Sequence, residues 1–82
     1  MAKWCVYLLK CRDGSLYTGM TNDLASRVKK HDSGAGAKYT RSRRPVRLVW
    51  SEAKRSESAA RKREAEIKAW PRDKKLDLVK RG

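Results

Sequence analysis

Acidic residues are scarce in this chain. Only 9 Asp+Glu stand against 22 Lys+Arg, a formal net charge of +13 over 82 residues. Charge of one sign at that density repels itself and works against a compact state. A polyanionic partner is the usual offset, because each neutralised phosphate releases a counterion. Nucleic acid is therefore the first candidate partner, weighed against a merely solvated basic surface. Charge alone fits a ribosomal-type binder, a DNA binder or a nuclease equally. Cysteine is also scarce: two residues, Cys5 and Cys11, make no disulfide framework. On one strand they would lie roughly 20 Å apart at ~3.3 Å per residue, too far to bond. Free thiols fit a reducing cytoplasm. A single histidine argues against a zinc cluster. No apolar run nears the ~20 residues of a membrane span, and Met1-Ala2-Lys3-Trp4 offers no signal-peptide core. A soluble, cytoplasmic protein without membrane association is expected. The length sets a single domain over residues 1–82, and hydrophobic residues make up only 39%, so the core must be thin.

What is present reads as a compact alternation of elements. Trp4 to Leu9 is rich in β-formers and apolar at successive positions, the pattern of a strand covered on both faces. Cys11 to Ser15 is a turn, signalled by Asp13-Gly14. Leu16 to Met20 is a second strand. Thr21 or Asn22 can cap a helix, with Asp23 at the positive end of its dipole. That helix runs to about Asp32 and turns Leu24 and Val28 inward. Ser33 to Ala37 stops it and opens a flexible loop. Lys38 to Arg44 is a basic stretch, and Pro45 leads into a third strand, Val46 to Trp50. A second helix starts near Ser56 or Glu57 and runs to Trp70. Pro71 breaks it, and a third helix, Arg72 to Val79, puts Leu76 and Val79 on one side. The expectation is a small α/β (α+β) domain, a three-stranded antiparallel sheet flanked by helices in the order ββαβαα.

The second helix carries the most informative residue. Glu64 lies on the wheel between the apolar positions Ala60 and Ile67, whereas Glu66 points away. A carboxylate on an inward face is costly unless paired or metal-bound. A salt bridge to one of the many arginines is the competing reading. Arg27 and His31, at i and i+4, project together from the first helix. Arg27 could grip a phosphate and His31 could relay a proton, or they could be an ordinary surface pair. Tyr7 and Tyr17 sit in strands, where core packing is the commoner role.

Together these residues form a pattern. Val6-Tyr7, followed ten residues after Tyr7 by Tyr17-Thr18-Gly19, resembles the paired motif of the GIY-YIG family. The run Tyr17-x-Gly19-x-Thr21-x-x-Leu24-x-x-Arg27-x-x-x-His31 resembles that family's second strand and first helix. Arg63-Glu64 followed by Ile67-Lys68 resembles its acidic helix. The likeness spans about Trp4 to Val79 and is closest to short, stand-alone bacterial members. Cys5 and Thr18 depart from the eponymous glycine and isoleucine, while both tyrosines and Gly19 are kept. Gly19 is expected to let backbone or substrate approach closely at the strand edge.

The resemblance implies a Mg-dependent endonuclease that hydrolyses DNA phosphodiester bonds, with structure selectivity and a role in DNA repair as further expectations. Glu64 would hold Mg²⁺ or Mn²⁺. Tyr7, as tyrosinate, would activate water, its ionisation assisted by the basic surroundings. Arg27 would neutralise the phosphoryl group, and Tyr17 and His31 would position it or pass protons. Lys30, Lys38, Arg41, Arg43, Arg44 and Lys68 would meet the nucleic acid. The alternatives are a catalytically idle nucleic-acid-binding module, or a component of a larger repair or ribonucleoprotein complex. A protein partner or a homodimer fits the sequence equally well.

One geometric expectation is sharp. A two-residue turn at Asp13-Gly14 would send Tyr7 and Tyr17 to opposite faces of the sheet. A three-residue loop, Arg12-Asp13-Gly14, with Gly14 left-handed in a G1 bulge, pairs Leu9 with Tyr17 and unites the two tyrosines on one face.

Overall fold

The computed structural model describes residues 3–81. Its elements are β1 (Trp4–Lys10), β2 (Leu16–Thr21), α1 (Leu24–Ser33), α2 (Lys38–Arg41), β3 (Arg47–Lys54), α3 (Glu57–Lys68) and α4 (Arg72–Arg81). The expected ββαβαα order holds, with the one-turn helix α2 added inside the basic stretch. The sheet is antiparallel in the order β2-β1-β3. The most continuously apolar strand, β1, is therefore central and covered on both faces.

The hairpin takes the three-residue loop. Leu9 pairs with Tyr17 and Tyr7 with Gly19. The Cys11 amide donates to the Ser15 carbonyl at 2.9 Å, and the Gly14 amide donates to the Cys11 carbonyl at 2.9 Å. Gly14 has φ 85°, the left-handed conformation that glycine tolerates. The turn is tied at both sides: Arg43 bonds the Asp13 carboxylate, and Arg72 donates to the Gly14 carbonyl at 2.6 Å.

This register sorts the core into two layers. Val6 and Leu8 point to one face, where they meet Ala60 and Ile67 of α3, with Leu78 and Val79 of α4 packed alongside. Tyr7, Leu9 and Cys11 point to the other, where they meet Val46, Tyr17 and the Leu24/Val28 stripe of α1. Helix α4 thus turns Leu78 and Val79 to the core, and Leu76, expected on one side with Val79, is not among the residues packed there.

Helix α1 is capped by Asp23, not by Thr21 or Asn22. The Asp23 carboxylate accepts from the Ser26 amide at 3.2 Å, while Thr21 Oγ1 accepts from the Asp23 amide at 3.1 Å. Thr21 thus orients the capping residue. Ser56 caps α3 through the Ala59 amide. That helix closes at Lys68, two residues before the expected Trp70, where the Trp70 amide turns back to the Ile67 carbonyl ahead of Pro71. β3 runs four residues beyond the expected Trp50, to Lys54. A register shift opposite Leu8/Leu9 absorbs Val49, which lets that residue pack into the α3 layer. Arg63 then ties α3 to β3 by bonding Glu52 at 3.0 Å, pairs with Glu66, and lies over the Trp70 ring.

Candidate active site

Tyr7 stands on the central strand with its phenol almost wholly enclosed. It lies directly across from Gly19, and a methyl group added there would overlap the phenol's Oη and Cζ. The glycine of the second motif therefore makes room for the tyrosine of the first. The close approach at Gly19 is made by the Tyr7 side chain, where backbone or substrate was expected.

The Tyr7 hydroxyl meets His31 Nε2 at 2.9 Å. His31 projects from α1 and is only 1% exposed. Its other nitrogen, Nδ1, meets Thr40 Oγ1 at 2.8 Å. The loop returning from α1 packs against the ring so tightly that a side chain at Gly36 would collide with Nδ1. Gly34, at φ 90°, starts that return. The Tyr17 ring lies 5.1 Å from the imidazole, and the Tyr39 ring lies 5.8 Å beyond Tyr17. The Arg43 guanidinium sits 4.0 Å over Tyr39.

The electrostatics tie in the remaining predicted residues. Burial pushes the Tyr7 phenol well above the ordinary tyrosine range. Tyr17, the Glu64 carboxylate and Cys5 push the same way, and only Arg27 pulls it down. Burial pushes the His31 imidazole below its ordinary value, and Arg27 adds to that effect. Tyr17, Arg27 and Glu64 thus lie close enough to bias the Tyr7 phenol, and Arg27 biases His31 as well. The basic surroundings do not lower the Tyr7 pKa as expected, because enclosure by the core outweighs the one guanidinium that faces the phenol. Tyr7 is a phenol at rest.

Glu64 reaches this neighbourhood from α3, the layer across the sheet. Its side chain is 20% exposed, and its Oε2 lies 3.6 Å from Lys68 Nζ, an i,i+4 pair. The competing reading gave it an arginine partner, but neighbouring Arg63 is engaged by Glu52 and Glu66. Among the described residues no three His, Cys, Asp or Glu side chains cluster as a metal cage. A lone half-buried carboxylate that already attracts an ammonium suits a hard cation that keeps most of its water, as magnesium does.

Of the cations assigned to nucleic acid, Lys30, Lys38, Arg41 and Arg44 are exposed. Lys68 is exposed but paired with Glu64. Arg43 is largely spent on the fold: it bonds Asp13 at 3.1 Å, bonds the Tyr39 carbonyl at 2.8 Å, and covers the Tyr39 ring. Thr40 and Tyr39 were not foreseen. Both lie in α2, where the only sequence signal was positive charge.

Comparison with known proteins bears on this geometry. Residues 3–77 match the GIY-YIG catalytic domain. A UPF0213 protein of Staphylococcus saprophyticus is 52% identical over 82 residues, the whole of both chains. One from Staphylococcus aureus is 57% identical over 75 residues, 92% of each chain. The solution structure of a UPF0213 protein from Bacillus halodurans is similar at 51% identity with a TM-score of 0.61, over 95% of this chain and 83% of that one. A solution structure from E. faecalis is similar at 38% identity with a TM-score of 0.66, over 98% of this chain and 85% of that one. No helix among the described residues is long and apolar enough to cross a membrane. The matched span takes in β1, β2, α1 and α3, the elements that carry Tyr7, Tyr17, Arg27, His31 and Glu64, and this chain belongs to the GIY-YIG family.

Proposed function

We propose that this protein is an endonuclease that hydrolyses phosphodiester bonds in DNA, with Mg²⁺ or Mn²⁺ held at Glu64. The observation that carries the reading is the buried hydrogen bond between Tyr7 and His31, set beside Arg27 and Glu64. A nucleic-acid binder has no use for a phenol joined to an imidazole at the bottom of a basic site. A hydrolase does.

In this reading a water attacks phosphorus in line with the leaving oxygen. As it attacks, its proton passes to the Tyr7 oxygen, and the Tyr7 proton passes to His31 Nε2. The phenol need not ionise beforehand, which its burial opposes; it hands one proton on as it takes another. The imidazole, neutral because burial and Arg27 hold its pKa down, is ready to receive. Arg27 faces the charge that builds on the phosphoryl oxygens. The P–O bond to the leaving alcohol breaks, the leaving oxygen takes a proton from solvent water, and His31 returns its own proton to solvent. A divalent ion at Glu64 would supply charge neutralisation at the leaving oxygen. Tyr17 packs against the imidazole and holds its plane. The cations Lys30, Lys38, Arg41 and Arg44 hold the phosphodiester backbone.

The test is a cleavage panel of branched, single-stranded and duplex DNA, with RNA counterparts, in Mg²⁺, Mn²⁺ and EDTA. Cleavage is expected in the metals and absent in EDTA. Glu64→Ala is expected to abolish cleavage while binding stays nearly intact. A folded Glu64→Ala protein that cuts as fast as the parent would sink the metal assignment. Failure of the parent to cut any substrate would sink the nuclease reading.

A further inference from the structure

We infer that Thr40 is a positioning residue that fixes the His31 tautomer, so that Nε2 offers its lone pair to the Tyr7 hydroxyl. This deepens the proposed nuclease reading and rests on it for its catalytic consequence, though not for its structural content.

The argument is a proton count. Thr40 is fully buried on α2 and owns one hydroxyl proton. The Ala37 carbonyl lies 3.0 Å from Oγ1 and can only accept. With the hydroxyl proton directed there, Oγ1 faces His31 Nδ1 at 2.8 Å as an acceptor. Nδ1 therefore carries the imidazole's single proton, and Nε2 is bare. The Tyr7 hydroxyl, 2.9 Å from Nε2, is then the donor. Every short bond in the chain Tyr7, His31, Thr40, Ala37 points the same way. The opposite polarity would spend the Thr40 proton on Nδ1 and withdraw it from the Ala37 carbonyl, which would keep only the Thr40 and Arg41 amides at 3.1 and 3.2 Å. Nε2–H would then point at the Tyr7 oxygen, and the phenolic proton would lose its imidazole acceptor. The one contact favouring that arrangement, the Ala37 amide to Nδ1 at 3.4 Å, is the longest in the group.

A histidine side chain in water prefers its proton on Nε2, so the protein must impose the reverse. The hydrogen bond at one ring nitrogen selects the state of the other. The ring also has no freedom to turn. A methyl group at Gly36 would collide with Nδ1, the Tyr17 ring sits tilted against the imidazole at 5.1 Å, and the Tyr7 ring meets it edge-on at 5.9 Å. Thr40 touches neither water nor phosphate. It would act through His31 alone, by making that residue a proton acceptor for Tyr7.

The chain has one histidine, so a ¹⁵N-histidine sample gives one pair of imidazole resonances and the tautomer is read without assignment. The parent is expected to show a protonated Nδ1 and a bare Nε2. Thr40→Val keeps the shape and removes the acceptor; it should move the proton to Nε2. Thr40→Ser restores the hydroxyl and should restore the parent pattern. In the cleavage assay Thr40→Val should lose about 10²-fold in kcat with KM little changed, within the range of general acid–base catalysis. Thr40→Ser should recover most of it. A parent protein with its proton on Nε2 overturns the inference without recourse to any variant. So does a Thr40→Val protein that keeps the parent tautomer, or one that switches tautomer and still cuts at the parent rate. A parent that cuts nothing defeats the nuclease reading instead, and the tautomer measurement still decides the role of Thr40.

Discussion

Gly19→Ala should damage the protein through Tyr7. The two residues are cross-strand partners, and the new methyl would overlap the phenol's Oη and Cζ. The phenol cannot step aside freely, because it is enclosed by the core and bonded to His31. Overpacking of a closed site costs about 1–3 kcal/mol. Displacing the ring also strains or breaks a buried hydrogen bond worth about 1 kcal/mol. Against these, alanine regains roughly 0.5–1 kcal/mol of backbone entropy over glycine in a strand. The balance is a loss of about 2 kcal/mol, which in a domain of this size lowers Tm by roughly 8–16 °C. Thermal unfolding followed by circular dichroism measures it directly. The cause is tested by repeating the substitution in a Tyr7→Leu background, where the ring end is gone. The cost of Gly19→Ala should shrink there by more than about 1 kcal/mol, the signature of direct coupling. Equal costs in both backgrounds, or an unchanged Tm in the single variant, would refute the claim that the motif glycine exists to seat the motif tyrosine.

Other expectations follow from charge, burial and titration. Binding to duplex DNA should lack sequence preference and weaken steeply with salt, with a log–log slope near −4 to −5 if about five phosphates are neutralised; a slope near zero would count against a nucleic-acid role. Thr18 buries a hydroxyl with no partner among the described residues, so Thr18→Val should stabilise by about 1 kcal/mol; a lower Tm would show that the hydroxyl is satisfied. His31 is held below its ordinary pKa by burial and Arg27, so the unfolded chain binds more protons there than the folded one. Its contribution to stability is full above the ordinary histidine pKa of about 6.5 and falls as pH drops below that value. Cleavage should fail only at still lower pH, as the folded imidazole itself protonates. Replacing His31 by Gln should remove that acid-side loss of stability, and an unchanged pH–Tm curve would exclude His31 as its source.

Much of the fold was legible because its signals are local. The apolar run of β1 demanded cover on both faces, and β1 is central. Asp13-Gly14 announced a turn, and the demand that Tyr7 and Tyr17 share a face selected its length. The helix α2 escaped notice because four residues cannot display a period, and Lys38-Tyr39-Thr40-Arg41 reads as charge interrupted by polar residues. What makes it a helix is tertiary: Thr40 is drawn inward by His31, and Tyr39 is clamped between Tyr17 and Arg43. The far half of β3 was missed for a related reason. Ser51-Glu52-Ala53-Lys54 has weak strand propensity, and it is held by pairing with β1 and by the grip of Arg63 and Lys54 on Glu52.

The candidate site residues could be named from the sequence, but the direction of proton flow proposed for them could not. The family resemblance implies a tyrosinate at Tyr7 whose ionisation is assisted by a basic neighbourhood. Exposed cations act through solvent, however, while a buried phenol responds to its immediate surroundings, and there burial and Tyr17, with Glu64 adding to them, outweigh one arginine. A tyrosine that cannot ionise on its own needs an acceptor at contact distance. His31 fills that role only if its bare nitrogen faces the phenol, and which nitrogen is bare depends on Thr40, nine residues further along and in another helix. No helical wheel of α1 contains that information. The spacing of Arg27 and His31 places an imidazole beside the guanidinium proposed to face the phosphate, but it leaves open whether the ring gives or takes a proton. The fold supplies the answer by closing a glycine loop over the imidazole and bringing one threonine hydroxyl to Nδ1.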